Sequence, residues 1–292
     1  MISKILIANR GEIALRVIRA CREMGIQSVA VHSTADEDAM HVHLADESVC
    51  IGPPSAAQSY LSIPAVIAAC EITGADAVHP GYGFLSENPK FADILDAHNI
   101  GFIGPKADHI RLMGDKIAAK AKAIELGIPV VPGSDGEVKT SHDALELAGD
   151  MGFPVLVKAA SGGGGRGMKI AHSEEELAEA FTTARSEAKA AFGDDAVYIE
   201  KYLEKPRHIE VQVVCDSHGN AVHLGERDCS LQRRHQKVLE EAPSMVLDSA
   251  ARAAIGKIVT DAMEGMQYLG VGTVEFLYED GEFYFIEMNT RL

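Results

Sequence analysis

The sequence predicts an α/β protein in two parts, a parallel sheet followed by an α+β region with antiparallel sheet. In the first hundred residues, short apolar runs alternate with helix-period segments, which is typical of βαβ units. After about residue 112 the apolar runs become longer and form hairpin patterns with helices between them. The chain has 292 residues, 47% hydrophobic and 24% charged, enough material for two cores. We therefore expect two domains, residues 1–112 and 113–292.

The first part has the pattern of half a Rossmann-like sheet. Its predicted strands and helices alternate, with strands at 4–8, 28–32, 48–52 and 75–79, helices at 12–24 and 63–74, and a last unit at 91–104. A nicotinamide site is the weaker alternative. The first turn, ANRGEIA, has one glycine where the dinucleotide fingerprint requires three.

The second part begins with a predicted helix at 115–126, which ends at Gly127. Further helices are expected at 141–151, 173–191 and 248–266. The segments between them have strand character: VLVKAA, GMKIA, AVYIEKYL, RHIEVQVVCD, AVHLGER and VGTVEFLYEDGEFYFIEMN. This order predicts antiparallel pairing.

Charge and cysteine content exclude several classes of function. The formal net charge of -16 disfavours binding to nucleic acid or to an anionic membrane surface, so a polyanionic ligand would require local cations. The five cysteines lie far apart with no C-x-x-C pair, which argues against a disulfide framework or a zinc site and fits a cytoplasmic location. The N-terminus has no apolar signal core, and no run approaches the ~18 apolar residues of a membrane span.

A glycine-rich run, KAASGGGGRGMKI at 158–170, follows the apolar strand FPVLV. It contains a literal G-x-G-x-x-G, but the next segment has strand character and no G-K-[ST] follows, so neither the Rossmann nor the Walker context is met. The run is therefore predicted to join two antiparallel strands, where glycines let backbone N–H groups approach phosphate oxygens. A plain flexible hairpin is the alternative. Lys158 favours the phosphate interpretation, because its ammonium group can contact phosphates.

A second feature is the hairpin at 271–292, in which Glu275 and Glu287 interrupt apolar strands. A two-residue loop at 280–281 would place the two glutamates on opposite faces, whereas a three-residue loop at 280–282 pairs them. We predict the three-residue loop, because it also collects an apolar face of Val274, Phe276, Tyr278, Tyr284, Ile286 and Met288.

Paired carboxylates are destabilising unless a cation lies between them, and oxygen ligands suit Mg²⁺ or Mn²⁺. Asn289 and Arg291 follow Glu287 at alternate positions and are expected on the same face. A solvent-exposed polar face is the alternative explanation of these charges.

A third feature, RDCSLQRRHQKVLEEAP at 227–243, concentrates cations in an acidic chain: Arg227, Arg233, Arg234, His235 and Lys237. Beside a metal and a glycine loop these residues suit an anion clamp. In isolation they would form a solvated loop.

Together these parts resemble an ATP-grasp ligase, and they are more similar still to the biotin carboxylase component of acetyl-CoA carboxylase. Seven segments in order carry the resemblance: KILIANRGEIALRVIRA, HPGYGFLSEN, IRLMGDK, SGGGGRGM, EKYLEKPRHIEVQV, ERDCSLQRRHQK and FIEMNTRL. It spans essentially the whole chain. Biotin-dependent enzymes that act on pyruvate, propionyl-CoA or urea share most of these segments.

The resemblance implies a role for each matching residue. Lys116 and Lys158 would hold ATP phosphates, under a mobile loop containing Gly164 and Gly165. The nucleotide pocket would comprise Glu200, Lys201, Leu203, His208, Gln232 and His235. The metal ions would be held by Glu275, Glu287 and Asn289. Bicarbonate would be positioned by Lys237 and Arg291, and the biotin acceptor would lie near Tyr82 and Gly83.

The implied activity is carboxylation of biotin on a carrier protein from ATP and bicarbonate, through carboxyphosphate. The implied partners are the biotin carboxyl carrier protein, carboxyltransferase subunits and a second copy of the chain. In the family, the last strand continues into further residues and a further subdomain, so we expect this chain to be a fragment that retains nucleotide-binding residues and lacks part of the carboxylation site. The alternatives are an ATP-grasp ligase with another acceptor and a non-catalytic nucleotide-binding module.

Overall fold

The structure, a computed structural model, describes residues 2–159, 168–234 and 236–292, and only the backbone at 191 and 192. The helices in these ranges are α1 (Gly11–Met24), α2 (Met40–Leu44), α3 (Ile63–Thr73), α4 (Pro89–Ala97), α5 (Ala107–Gly114), α6 (Lys116–Glu125), α7 (Ser141–Met151), α8 (Glu174–Phe192) and α9 (Ser249–Met266). The strands are β1 (Lys4–Ile7), β2 (Gln27–Ser33), β3 (Glu47–Gly52), β4 (Ala77–His79), β5 (Gly101–Phe102), β6 (Val155–Ala159), β7 (Met168–Ala171), β8 (Val197–Lys201), β9 (Arg207–Cys215), β10 (Ala221–Arg233), β11 (Gln236–Glu241), β12 (Gly270–Glu279) and β13 (Glu282–Asn289).

The first sheet is parallel and has the order β3-β2-β1-β4-β5, which confirms the predicted Rossmann-like part. Successive residues of β1 face opposite sides of the sheet. Ile5 and Ile7 pack against α1, while Leu6 packs in the core that contains α3 and α4. After β1 the chain continues to β2 on one side of the sheet, and after β4 it continues to β5 on the other side. In such sheets ligands bind at the carboxyl ends of the strands next to the place where the direction changes, here between β1 and β4.

Two antiparallel sheets follow, as predicted. One has the order β11-β10-β9-β12-β13, and the other has the order β7-β6-β8. The five-stranded sheet packs one face against α9 and α6 through side chains such as Val211, Val274 and Phe276. The three-stranded sheet packs against α7 and α8 through Val155 and Val157. Within the described ranges, no helix combines the length and apolar character needed to cross a membrane.

A short segment, residues 129–134, connects the two antiparallel sheets. Its first residue accepts a hydrogen bond from the Phe285 amide of β13 at 2.7 Å. Its other end pairs Gly133 with Glu200 of β8. A Cβ atom on Gly133 would lie 2.5 Å from the Ile199 carbonyl oxygen, so the close backbone contact requires glycine here. The position of Glu200 is therefore tied to this connection.

The hairpin β12–β13 pairs Glu275 with Glu287, which confirms the predicted juxtaposition, but the predicted three-residue loop is wrong. The turn is the two residues Asp280 and Gly281, with φ of 52° and 91°, and these values match a type I′ turn. The register shifts by one residue between Glu275 and Phe276, where Ile286 is the extra residue of a β-bulge.

The bulge also changes which residues face the core. Between the turn and the bulge, Phe283 and Phe285 are buried instead of the predicted Tyr284. After the bulge, Met288 is buried as predicted. Ile286, predicted in the apolar face, is 38% exposed. The hydrophobic pattern alone therefore selected the right glutamate pair through the wrong turn.

Replacing Phe285 by alanine should destabilise the protein far more than replacing its neighbour Ile286. Phe285 is buried among Phe276 and other core residues, so its truncation should cost about 3–5 kcal/mol, whereas Ile286→Ala should cost less than about 1 kcal/mol. Urea unfolding of both variants measures the difference. An equal loss in the two would contradict the bulged register.

Candidate active site

The polar face of the five-stranded sheet carries a row of charged residues that crosses four strands. Glu287 of β13 is paired with Glu275 of β12, which is paired with Glu210 of β9, which is paired with Arg227 of β10. Residues in direct register lie on the same face of a sheet. Glu210 and Glu275 are both buried. Carboxylates in this setting require cationic partners.

The carboxylate of Glu275 has three hydrogen-bond partners, one of which is the ammonium group of Lys237. Asn289 Nδ2 donates to Oε1 at 2.6 Å, Lys237 Nζ donates to Oε1 at 2.7 Å, and His208 Nε2 lies 2.5 Å from Oε2. Burial alone would raise the pKa of Glu275, but the contacts with His208 and Lys237 outweigh it and lower the pKa to about 2. Glu275 is therefore an anion at neutral pH.

Lys237 joins the two buried glutamates, because its ammonium group also donates to Glu210. Burial would lower the pKa of Lys237, but hydrogen bonds to Glu210 and Glu275 raise it above its ordinary value. Arg227 completes the arrangement from the other side, with Nε 2.6 Å from Glu210 Oε1. Lys237 and Arg227 thus belong to the charged row, while Arg233 and Arg234 are exposed.

His208 is oriented by Gln232, whose Nε2 lies 3.0 Å from His208 Nδ1. The amide of Gln232 also donates to the Cys229 carbonyl oxygen at 3.0 Å. If Gln232 donates to Nδ1, the proton of a neutral His208 is on Nε2, facing Glu275. Cys229 itself is buried, and burial together with Glu210 raises the pKa of its thiol to about 12, which argues against a nucleophilic role.

A second charged cluster lies on the three-stranded sheet around Glu200 of β8. Lys158 Nζ of β6 donates to Glu200 Oε2 at 2.5 Å, and Lys120 Nζ of α6 donates to Oε1 at 2.8 Å. Burial would raise the pKa of Glu200, but the charges and hydrogen bonds of the two lysines hold it below its ordinary value. Lys158, predicted to hold phosphate, is thus paired with a glutamate predicted in the nucleotide pocket.

The neighbouring predicted residues have other contacts. Lys201 Nζ donates to the Gly152 carbonyl oxygen at 2.9 Å, and its backbone N–H donates to Pro132. Leu203 is half-buried, and Lys116 is the exposed first residue of α6. Gly164, Gly165 and His235 lie outside the described residues.

The residues at the end of β13 reach the first sheet. Arg291 donates to Asn289 Oδ1 at 3.0 Å and lies 3.7 Å from Glu87 Oε2, and the Thr290 amide donates to Glu87 at 3.0 Å. Glu87 belongs to the HPGYGFLSEN segment, which also carries Tyr82 and Gly83.

In that segment, the Tyr82 hydroxyl donates to Glu12, and Gly83 has a positive φ of 67°. Buried Asn9 fixes the turn by donating to the Pro80 and Tyr82 carbonyl oxygens at 2.8 Å each. This segment therefore brings the first part of the chain next to Arg291.

Sequence reasoning missed Glu210, Lys120 and Glu87. Glu210 was detectable, because RHIEVQV alternates polar and apolar residues and places it between His208 and Gln212 on the polar face. Lys120 follows Lys116 by one helical turn and so shares its side of α6. Glu87 had no local signal, since its partners are about two hundred residues away.

The donor set suits a hard divalent cation. Glu275 and Glu287 offer carboxylate oxygens on adjacent strands, and Asn289 offers an amide oxygen, which are ligand types that Mg²⁺ and Mn²⁺ prefer. In the described residues, ligand atoms of His208, Glu210 and Glu275 also lie within 4.8 Å of one another. The metal-binding role of Glu275, Glu287 and Asn289 stays a prediction.

A parallel-sheet part joined to two antiparallel sheets that carry lysine–glutamate clusters is the arrangement expected of the ATP-grasp class. Family models match in the same order: "Biotin carboxylase, N-terminal domain" over residues 1–110 and "Carbamoyl-phosphate synthase L chain, ATP binding domain" over residues 115–292. The chain belongs to the biotin carboxylase family.

Three relatives illustrate the similarity. The biotin carboxylase of Haemophilus influenzae is 59% identical over 295 residues, which cover 100% of this chain and 65% of that protein. A biotin carboxylase structure from Campylobacter jejuni, in a complex described as β-γ-ATP, is 53% identical with a TM-score of 0.88 and covers 100% of this chain and 66% of its own.

The third is the biotin carboxylase domain dimer of 2-oxoglutarate carboxylase from Hydrogenobacter thermophilus, solved with MgADP, ADP and bicarbonate. It is 48% identical, with a TM-score of 0.85, and covers 100% of this chain and 64% of its own. The chain thus spans about two thirds, or slightly less, of the length of these relatives.

Acid should remove the stability that Glu275 contributes. Its pKa is about 2 in the folded chain against an ordinary 4.5, so below pH 4.5 the unfolded chain binds a proton that the folded chain does not. The contribution is therefore complete above pH 4.5 and is lost as the pH falls towards 2. Urea unfolding should show a steeper loss of stability between pH 4.5 and 3 for the wild type than for Glu275→Gln.

Glu282→Gln is the matched control, because it removes the same charge from an exposed side chain at the hairpin turn. Its stability should follow the wild-type pH profile. If Glu275→Gln keeps the wild-type slope as well, Glu275 is not held as a buried anion.

Proposed function

We propose that this chain belongs to an enzyme that catalyses the ATP-dependent carboxylation of biotin on a carrier protein, with bicarbonate as the source of the carboxyl group. The observation that supports it most is the placement of cations within buried carboxylate clusters of a chain with a net charge of -16. Such local cations suit the phosphates of ATP and the bicarbonate anion. The Hydrogenobacter relative, solved with MgADP and bicarbonate, is consistent with both ligands.

In this proposal the nucleotide binds beside the three-stranded sheet. Lys158 and Lys116, with Gly164 and Gly165 of the glycine run, contact the phosphates. The rest of the nucleotide pocket is formed by the end of β8 and the residue Leu203 after it, by β9 and β10, and by one residue outside the described ranges: Glu200, Lys201, Leu203, His208, Gln232 and His235. The contact of His208 with Gln232 supports a shared role for these two side chains.

Metal ions would be held by Glu275, Glu287 and Asn289, where they neutralise phosphate charge. Lys237 and Arg291 position bicarbonate for attack. A bicarbonate oxygen bonds to the γ-phosphorus, the bond to the β-phosphate oxygen breaks, and ADP leaves with carboxyphosphate as the product. Carboxyphosphate then breaks down to CO₂ and phosphate, the phosphate takes the proton from N1 of biotin, and N1 forms its new bond to the carbon of CO₂. Closure by the glycine run would exclude water.

The surrounding assignments follow from the same proposal. Residues 1–112 and 113–292 act as two domains, Tyr82 and Gly83 lie near biotin, and the protein works in the cytoplasm as a homodimer with a biotin carboxyl carrier protein and carboxyltransferase subunits. We propose acetyl-CoA, and thus fatty acid synthesis, as the final destination of the carboxyl group. A related 2-oxoglutarate carboxylase matches the whole chain, so an enzyme with another acceptor is the second candidate.

The proposal is tested by incubating the protein with MgATP, labelled bicarbonate and free biotin. At the full length of the relatives, label in carboxybiotin, with one ADP formed for each, is the expected result; the 292-residue chain, which we expect to lack part of the carboxylation site, should form less. Binding of ATP without bicarbonate-dependent hydrolysis would instead favour a non-catalytic nucleotide-binding module.

Lys237→Gln should lower the rate of bicarbonate-dependent ATP hydrolysis by about a hundredfold, because the cation next to Glu275 is lost. The Kd for MgATP should change much less. Lys237→Arg retains the positive charge, so comparing it with Lys237→Gln separates the effect of losing the charge from an effect on folding. Lys257→Gln, on an exposed side chain paired with Asp261, is the control and should keep the wild-type rate.

A further inference from the structure

The cluster of Lys120, Glu200 and Lys158 contains more positive than negative charge. Two ammonium groups, from α6 and β6, converge on one carboxylate of β8 at 2.8 and 2.5 Å. The glutamate side chain is 9% exposed, whereas the lysine side chains are 27% and 26% exposed. The negative charge is thus buried beneath two accessible cations, and the cluster keeps one net positive charge.

The geometry prevents the carboxylate from moving away. The backbone of Glu200 pairs with Leu156 on one side and with Gly133 on the other, where a Cβ atom would lie 2.9 Å from Glu200 Cγ. Glu200 therefore stays next to Lys158. The two lysines depress the pKa of Glu200, so it remains ionised.

We propose that Lys120 is a positioning residue: it neutralises Glu200 so that Lys158 keeps its charge for the phosphate groups of the nucleotide. This inference rests on the proposed function, in which Lys158 contacts phosphate. With Glu200 and Lys158 alone, the pair would be neutral, and an incoming polyphosphate would meet no net positive charge there. Lys120 removes that obstacle from a different element, and it does so without itself touching the nucleotide.

Lys158 has further donors for this contact. An ammonium group carries three N–H donors, and one of them is directed to Glu200. Its charge also lies 5.8 Å from the centre of the ring of Tyr198, the residue that pairs with Lys158 on the neighbouring strand. The lysine is thus held in place while part of its donor capacity faces outward.

The experiment measures ATP and adenosine affinity by calorimetry for the wild type and Lys120→Met. The variant should bind ATP about tenfold more weakly, with a weaker dependence on ionic strength, while adenosine affinity should be unchanged. Lys122→Met is the matched control: it lies on the same helix, pairs with Glu125, and should bind ATP like the wild type.

A charge-balance variant separates this role from a structural one. In Lys120→Met with Glu200→Gln, the cluster regains one net positive charge, so this double variant should bind ATP more tightly than Lys120→Met alone. Loss of packing at Lys120 would not be rescued by a change at Glu200.

The outcomes also separate this inference from the proposed function. If the wild type and Lys122→Met bind ATP but Lys120→Met binds it equally well, or if the double variant stays weak, the inference is wrong. If the folded wild type binds no ATP, the proposed nucleotide site itself is wrong.

Discussion

The structure depends on the compensation of buried carboxylates by cations from neighbouring strands. Glu210 and Glu275 lie side by side in the middle of the five-stranded sheet, where burial of one unpaired charge would be severely destabilising. Lys237 donates to both carboxylates, Arg227 contacts that of Glu210, and His208 contacts that of Glu275. Because Lys237 comes from β11, the edge hairpin must fold onto the sheet for the carboxylates to be tolerated. Folding of this face and assembly of the charged row are therefore one event.

The two charged clusters differ in the ratio of positive to negative charges, and this difference corresponds to their different proposed roles. Around Glu210 and Glu275, the carboxylates are matched closely by Lys237 and Arg227, with a third glutamate, Glu287, in the same row. This side suits cationic metal. Around Glu200, two lysines exceed one carboxylate, and this side suits an anion. The proposed metal–nucleotide complex would thus meet matching charges in an acidic chain, because the distribution of the charges matters more than their sum.

The connection at residues 129–134 places these two clusters relative to each other. It hydrogen-bonds to β13 at one end and to β8 at the other, and only glycine fits at the tightest point. Lys120 adds a second connection, since α6 packs in the core of the five-stranded sheet while its ammonium group reaches the three-stranded sheet. A nucleotide that binds beside Glu200 would therefore lie next to the residue at which both connections end.

The sequence by itself determined the order of the elements and the change from parallel to antiparallel sheet, because these depend on local periodicity and on burial of apolar faces. It also favoured the pairing of Glu275 with Glu287, although the structure reaches that pairing through a bulge and not through the predicted turn. It also proposed Lys158, Lys237 and Asn289 as candidate site residues, because they lie next to the glycine run, within a cluster of cations and on the polar face of the hairpin. Only the tertiary structure decided the bulge at Ile286, since one extra residue reverses which side chains face the core without leaving a local signal. Only the tertiary structure brought Lys120 to Glu200 and Glu87 to Thr290, because contacts across such sequence distances depend on how whole sheets pack.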